Sequence, residues 1–263
     1  MDNQKIEEKV EGEMLTEAEI LAGLPPERVL ALQEMMRAGI LYGHGKSRTN
    51  PKFRQYIHTT RNNIEIIDIP QTLDLLERAA DILASSIKDG KMALVVATQP
   101  ALHDIAEQFA KKFNFSFIND HWVGGLMTNF KVISGRIEFW KKLKADLASG
   151  RLDKYTKKER VMMQKNVDRM TRMFAGLENL TRLPDILFVI DTAIKGHKTA
   201  IREALKIKIS IIGIIDNDDN PEMVTYPIPA NDHSRMSVEW LLGRIDQRLT
   251  INNQPIDNDQ GKQ

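Results

Sequence analysis

The sequence predicts an α/β fold: a parallel-stranded sheet of the flavodoxin or Rossmann kind, flanked by helices and carrying an inserted, protruding antiparallel helical hairpin. Continuous Val/Ile/Leu runs at 92–97, 186–190 and 209–215 are the first reason. Strands with unbroken apolar runs are covered on both faces, which is the mark of a parallel sheet, whereas alternating strands face water on one side. Segments with helical spacing of apolar residues lie between these runs, and that alternation builds α/β layers. The third reason is an interruption. Residues 129–180 contain no strand-like run at all.

Residues 1–24 are acidic and lack aromatic side chains, so they read as a mobile leader with a short helix over 16–21. Pro25-Pro26-Glu27 opens a helix, because proline suits a first turn. Val29, Leu30, Leu32, Met35 and Met36 form its apolar face and Gly39 stops it. From 40 to 63, glycines and the pairs Asn50-Pro51 and Asn62-Asn63 break every period, and the segment reads as loop. A strand is then expected at 66–69, a helix at 70–88 closed by Gly90, a strand at 92–97, a helix at 100–112 and a strand at 115–118. After the interruption come a strand at 186–190, a helix at 195–206, strands at 209–215 and 226–228, and a helix at 234–249.

Within the interruption, Ile133, Ile137, Trp140, Leu143 and Leu147 recur at helical spacing, as do Val161, Val167, Met170 and Phe174. Gly150 and the residues after it divide the block into two long helices, hence the hairpin. The expected division is a leader 1–24, an α/β domain 25–128 and 181–250, the hairpin 129–180 and a polar tail 251–263.

The chain has 263 residues with 42% hydrophobic and 28% charged, close to globular averages, which excludes wholesale disorder. With no Cys, disulfide scaffolds, thiolate metal sites and cysteine nucleophiles are excluded. No apolar run approaches the ~20 residues of a membrane span. The polar, acidic first residues resemble neither a signal nor a transit peptide. A cytoplasmic protein is expected.

The net charge of +1 conceals segregation. Residues 1–34 hold nine acids and three bases, a local −6. Residues 35–64 hold six bases and no acid, and residues 131–172 hold thirteen bases and five acids, giving +6 and +8. A single charge run is usually a solvated face. Two basic stretches favour a polyanionic partner.

Enzyme motifs do not appear. Glycine-rich phosphate loops follow strands directly, but Thr98-Gln99-Pro100 and Asp191-Thr192-Ala193 occupy those places. Gly124-Gly125 is too short a signal and reads as a tight turn. Asp216, Asp218 and Asn220 have the spacing of a Ca²⁺ loop, but Pro221 stands at its sixth position and Pro227 at its twelfth, so an acidic turn is expected and a weak Mg²⁺ site stays open. Neither an HExxH pair nor a GxSxG elbow is present, and His103 and His197 read as surface or packing residues. The carboxyl edge of the sheet looks devoid of ligand-binding residues. An enzyme acting on a sugar phosphate or nucleotide through Asp191, Asp216 and Gly124-Gly125 is the alternative reading; an RNA- or protein-binding adaptor is another.

Two segments stand apart. In 43–54 (GHGKSRTNPKFR), Lys and Arg supply charge to phosphates, glycines allow close approach, and Tyr42, His44, Phe53 and Tyr56 could stack on unpaired bases. A flexible loop with solvated charges explains it equally well. In 119–131 (NDHWVGGLMTNFK), Trp122 reads as a structural plug, with His121, Asn129 and Lys131 as polar contacts.

The stretches AGILYGHGKSRTNPKF (38–53) and NDHWVGGLMTNFKVI (119–133) resemble the signatures of the second protein of the bacterial small ribosomal subunit, ribosomal protein S-two. LPDILFVIDT (183–192), IIGIIDNDDNP (211–221) and IPANDHSRMSV (228–238) continue the likeness. In order and spacing it covers roughly residues 35–249. It implies an α/β domain with a protruding helical hairpin, no catalysis and no cofactor. The implied partners are ribosomal RNA and neighbouring small-subunit proteins, among them, in many bacteria, the large protein that recruits messenger RNA. The expected RNA contacts are His44, Lys46, Arg48, Asn50, Lys52, Arg54, Arg61, His121, Asn129, Lys131 and Arg136.

Leu41 stands where the family usually has His, Thr49 where it has Trp, and Asp120-His121 where it has His-Arg; Ala230 replaces Gly, and the leader is longer. These departures point to a divergent bacterial lineage or an organelle. The lack of a transit peptide favours the former.

Overall fold

Residues 25–253 are described by a computed structural model; the expected leader, its short helix and the tail beyond 253 lie outside the described residues. Five parallel strands form the main sheet. They are β4 (Ala93–Val96), β5 (Ser116–Ile118), β6 (Ile186–Ile190), β7 (Ser210–Ile215) and β8 (Tyr226–Pro229), in the order β5-β4-β6-β7-β8. Their apolar residues divide by parity. Val95, Phe188, Ile190, Ile212 and Ile214 point to one face and Leu94, Val96, Leu187, Val189, Ile211 and Ile215 to the other, each set in its own buried cluster. A period of two along a strand sends neighbours to opposite faces, so two cores follow from unbroken apolar strands.

The first face is covered by α1 (Pro26–Arg37), α2 (Ile69–Lys88), α3 (His103–Lys112) and α7 (Arg235–Asn253). Asp68 caps α2, its carboxylate accepting the Gln71 amide at 3.0 Å. The expected strand at 66–69 is therefore shifted. It runs Ile64–Ile67 as β3, and Ile69 already belongs to the helix. At the other end α7 extends to Asn253, so 251–253 are helix where tail was expected.

The second face is covered by α6 (Lys195–Lys206) and by parts of α4 (Phe130–Ala148) and α5 (Lys157–Phe174). Ile133, Ile137, Trp140, Val167 and Phe174 enter that core. Trp140 donates its indole N–H to Thr171 Oγ1 at 3.0 Å and lies 6.3 Å from the Phe174 ring, which fixes the two helices to each other. A capping box at Thr156 and Glu159 starts α5. No residue from 149 to 166 is fully buried.

The loop expected over 40–63 is instead a small antiparallel sheet. Strands β1 (Tyr42–Gly45), β2 (Ile57–Arg61) and β3 pair in the order β1-β3-β2. Asn62 and Asn63, read as breakers, have φ of 47° and 64° and join Arg61 to its partner Ile64. Two successive left-handed residues make the hairpin turn whose twist suits antiparallel strands, and Asn tolerates that conformation.

Candidate nucleic-acid interface

The basic loop between β1 and β2 is built from two short 3₁₀ turns, Lys46–Arg48 and Pro51–Tyr56. Asn50 caps the second, accepting the Lys52 amide at 3.0 Å. Phe53 and Tyr56 anchor the loop from beneath with rings 5.3 Å apart, both buried in the second core. They are thus packing residues and correct the expectation that they stack on bases. Tyr42 alone of that aromatic set is well exposed.

Asn217, fully buried after β7, grips this loop at several points. Its Oδ1 accepts the His44 amide at 2.6 Å, and its Nδ2 donates to the His44 carbonyl at 3.1 Å and to Thr49 Oγ1 at 2.9 Å. Its own carbonyl accepts the Asn50 amide at 2.7 Å. The loop is therefore a braced part of the sheet edge. Lys46, Arg48 and Arg54 project from it into solvent, while Lys52 is paired with Glu222. Arg61 is exposed at the end of β2. His44 turns inward, its Nδ1 2.8 Å from Asp216 Oδ2 and its ring edge-on to His233 at 4.8 Å. That separates it from the outward-facing cations.

Beside this loop lies a cavity of about 370 Å³ lined by Lys46, Thr49, Arg54, Ile57, Thr60 and Glu65. Glu65 is 4% exposed and accepts hydroxyl hydrogen bonds from Thr49 at 3.3 Å and Thr60 at 2.6 Å.

The second segment is held by a residue that the sequence did not single out. Glu203 on α6 accepts the Trp122 indole N–H at 3.0 Å, the amides of Gly125, Met127 and Thr128 at 2.8, 3.1 and 3.2 Å, and the Thr128 hydroxyl at 3.2 Å. Trp122 is buried, as its reading as a plug required. The amides a phosphate would need are spent on this carboxylate, which removes Gly124-Gly125 as a nucleotide cradle. His121, Asn129, Lys131 and Arg136 are exposed around the turn and the start of α4, with His121 Nδ1 3.2 Å from Asp120.

The carboxyl edge of the sheet is far from bare, contrary to expectation. Asp191, Asp216, Asp219 and Asp232, all buried, converge there from the ends of β6, β7 and β8. Burial pushes the Asp219 carboxyl up to about 6 and Asp232 well above its ordinary value, and the Asp232 hydrogen bond raises His233 to about 9. Ligand atoms of Asp191, Asp232 and His233 lie within 4.8 Å of one another, a set of oxygen and imidazole donors able to hold a divalent cation. Asn220, in the expected acidic turn, caps the 3₁₀ turn at Pro221. His197 is buried, and its Nδ1 lies 2.5 Å from the Asp191 carbonyl, as a packing residue.

The fold and site together define a parallel α/β domain whose sheet edge carries a braced cationic loop and no glycine-rich phosphate loop. The family described as Ribosomal protein S2 matches residues 35–250, and the chain belongs to that family. A protein named small ribosomal subunit protein uS2c from Cyanophora paradoxa is 36% identical over 217 residues, covering 82% of this chain and 92% of its own. Proteins named small ribosomal subunit protein uS2 from Microcystis aeruginosa and Dictyoglomus turgidum are 36% and 35% identical over 84% and 82% of this chain and 83% and 87% of theirs. The family is structural and not enzymatic.

Proposed function

We propose that this protein is a structural constituent of the small ribosomal subunit that holds ribosomal RNA on one side and neighbouring ribosomal proteins on the other. The observation that carries this reading is the loop 46–54, where Lys46, Arg48 and Arg54 stand exposed on a backbone fixed by Asn217. Cations held in place beforehand neutralise phosphates without paying to order a flexible loop. Lys131, Arg136 and Arg61 extend the same role, and His121 and Asn129 add polar contacts. Asn50 and His44 serve inward, as cap and as brace. Residues 129–180 act as a hairpin whose exposed outer half reaches RNA or a protein neighbour, including the large messenger-recruiting one where it exists. No helix among the described residues is long and apolar enough to cross a membrane.

Sucrose-gradient fractionation tests the proposal. The protein should co-sediment with small subunits in the ribosome-containing compartment. A protein that stays at the top of the gradient at low salt overturns it.

A further inference from the structure

We propose that the cavity between the basic loop and the small sheet is a guanosine site, resting on the reading that this loop meets RNA. Its floor is unusual. Glu65 is a carboxylate at 4% exposure with no ion-pair partner among the described residues; only two threonine hydroxyls donate to it. A carboxylate has about four lone-pair positions, so acceptor capacity remains. Lys46 and Arg54 line the same cavity and also have no ion-pair partner among the described residues.

The arrangement is therefore acidic below and cationic above. A bare anion is repelled by the floor, and a simple cation is repelled by Lys46 and Arg54. A ligand that suits both must present N–H donors inward and a phosphate outward, which is the layout of a nucleotide. Among the four bases, guanine alone places two N–H donors side by side, at N1 and N2, matching the two oxygens of a carboxylate. Adenine and cytosine offer one amino group and uracil one imino hydrogen. Ile57 supplies apolar contact, and the planar Arg54 guanidinium can lie against the base while Lys46 takes the phosphate. About 370 Å³ is within the range of small-molecule sites and admits one nucleotide. The ligand is either an unpaired guanosine of RNA or a free guanine nucleotide.

The test is an amide chemical-shift titration of the full chain with GMP, AMP, CMP and UMP. GMP should move the Thr49, Thr60 and Glu65 amides and bind at least about tenfold more tightly than AMP, the discrimination of one bidentate contact. Equal binding of GMP and AMP, or no shift at these amides with millimolar GMP, overturns the proposal. Glu65→Gln replaces one acceptor by a donor and should erase the preference for GMP; a preference that persists in the folded variant also overturns it. Should that variant fail to fold, Lys46→Ala with Arg54→Ala provides the second reading. It should bring GMP down to the affinity of guanosine, and an unchanged gap between the two overturns the phosphate assignment.

Assembled subunits separate the two sources. A dicarbonyl reagent that modifies guanine N1 and N2 should spare one RNA guanine in the wild type and reach it in Glu65→Gln. GMP selectivity without such a guanine assigns the site to the free nucleotide. Loss of co-sedimentation would sink the ribosomal reading while leaving the GMP comparison intact, so the two failures are distinct.

Discussion

Trp122 and Glu203, 81 positions apart, are joined by a 3.0 Å hydrogen bond from the indole Nε1 to the carboxylate. The same carboxylate also accepts three backbone amides and a hydroxyl of the turn that leads into α4. Glu203→Ala leaves these donors unpaired, those of Trp122 and Met127 in buried positions, and should cost about 3 kcal/mol, measured by urea denaturation. A loss below about 1 kcal/mol would show that the turn is held by packing alone.

The same contact predicts a pH dependence. Burial alone would raise the Glu203 pKa, but hydrogen bonds from Trp122, Gly125, Thr128 and Met127 outweigh it and hold the carboxyl below its ordinary value of 4.5. A depressed folded-state pKa adds stability that is present above the unfolded value and is lost as pH falls through the folded one. The stability gap between wild type and Glu203→Gln should therefore narrow as pH drops below 4.5. A gap that stays constant on acidification would argue against the ionised form as the brace.

Gly176 follows α5 in a 3₁₀ turn against β5, where an added Cβ would sit 2.2 Å from the Phe117 carbonyl oxygen. Backbone in a central layer cannot move aside cheaply. Gly176→Ala should destabilise by about 3 kcal/mol or more. Thermal melting checks this, and a melting temperature unchanged from wild type would contradict the close approach.

Asn217→Ala removes the side-chain hydrogen bonds to His44 and Thr49. Exchange of the His44 amide should accelerate about tenfold or more, with a global cost of about 2 kcal/mol. Protection at His44 equal to wild type would mean that the loop is held elsewhere.

Charge reversal should act on assembly without unfolding. Arg48→Glu with Arg54→Glu should weaken incorporation into small subunits and lower the salt dependence of RNA binding by about one unit of slope per lost phosphate contact. Arg48→Glu with Lys52→Glu should have a smaller effect, since Glu222 already offsets Lys52. Equal incorporation of all variants in a competition assay would make this loop a bystander.

The main sheet was legible because β6, Ile-Leu-Phe-Val-Ile, has no polar position at all, and such a run has few other homes. The small sheet was not. Its strand β2 reads Ile-His-Thr-Thr-Arg, too polar to show a buried face, and Asn62-Asn63 looked like a break when it is a turn. The basic loop was legible from charge, but the inward turn of Phe53 and Tyr56 depended on a core assembled from distant segments. Asp191 and Asp216 stood out in the sequence as acids after strands, but Asp232 did not, and it is the strand order that brings all three together. Glu203 was hidden for the same reason, as one acid on an amphipathic helix.

Thr49, where the family usually has Trp, donates to Glu65 and accepts from Asn217, so this departure ties the loop to both sheets. Ala230 has an ordinary negative φ and is fully buried with its amide on the Ile215 carbonyl, so glycine is not required there.

The bond from the His44 amide to Asn217 spans 173 residues, and it has a consequence in time. A ribosome adds about 5–20 residues each second, so the segment that grips the loop emerges roughly 9–35 s after the loop itself. Through that interval the cations of the loop are already outside the exit tunnel but have no fixed geometry. The loop proposed to meet RNA gains its geometry only once Asn217 has emerged, and a chain that stops short of it offers charge without shape.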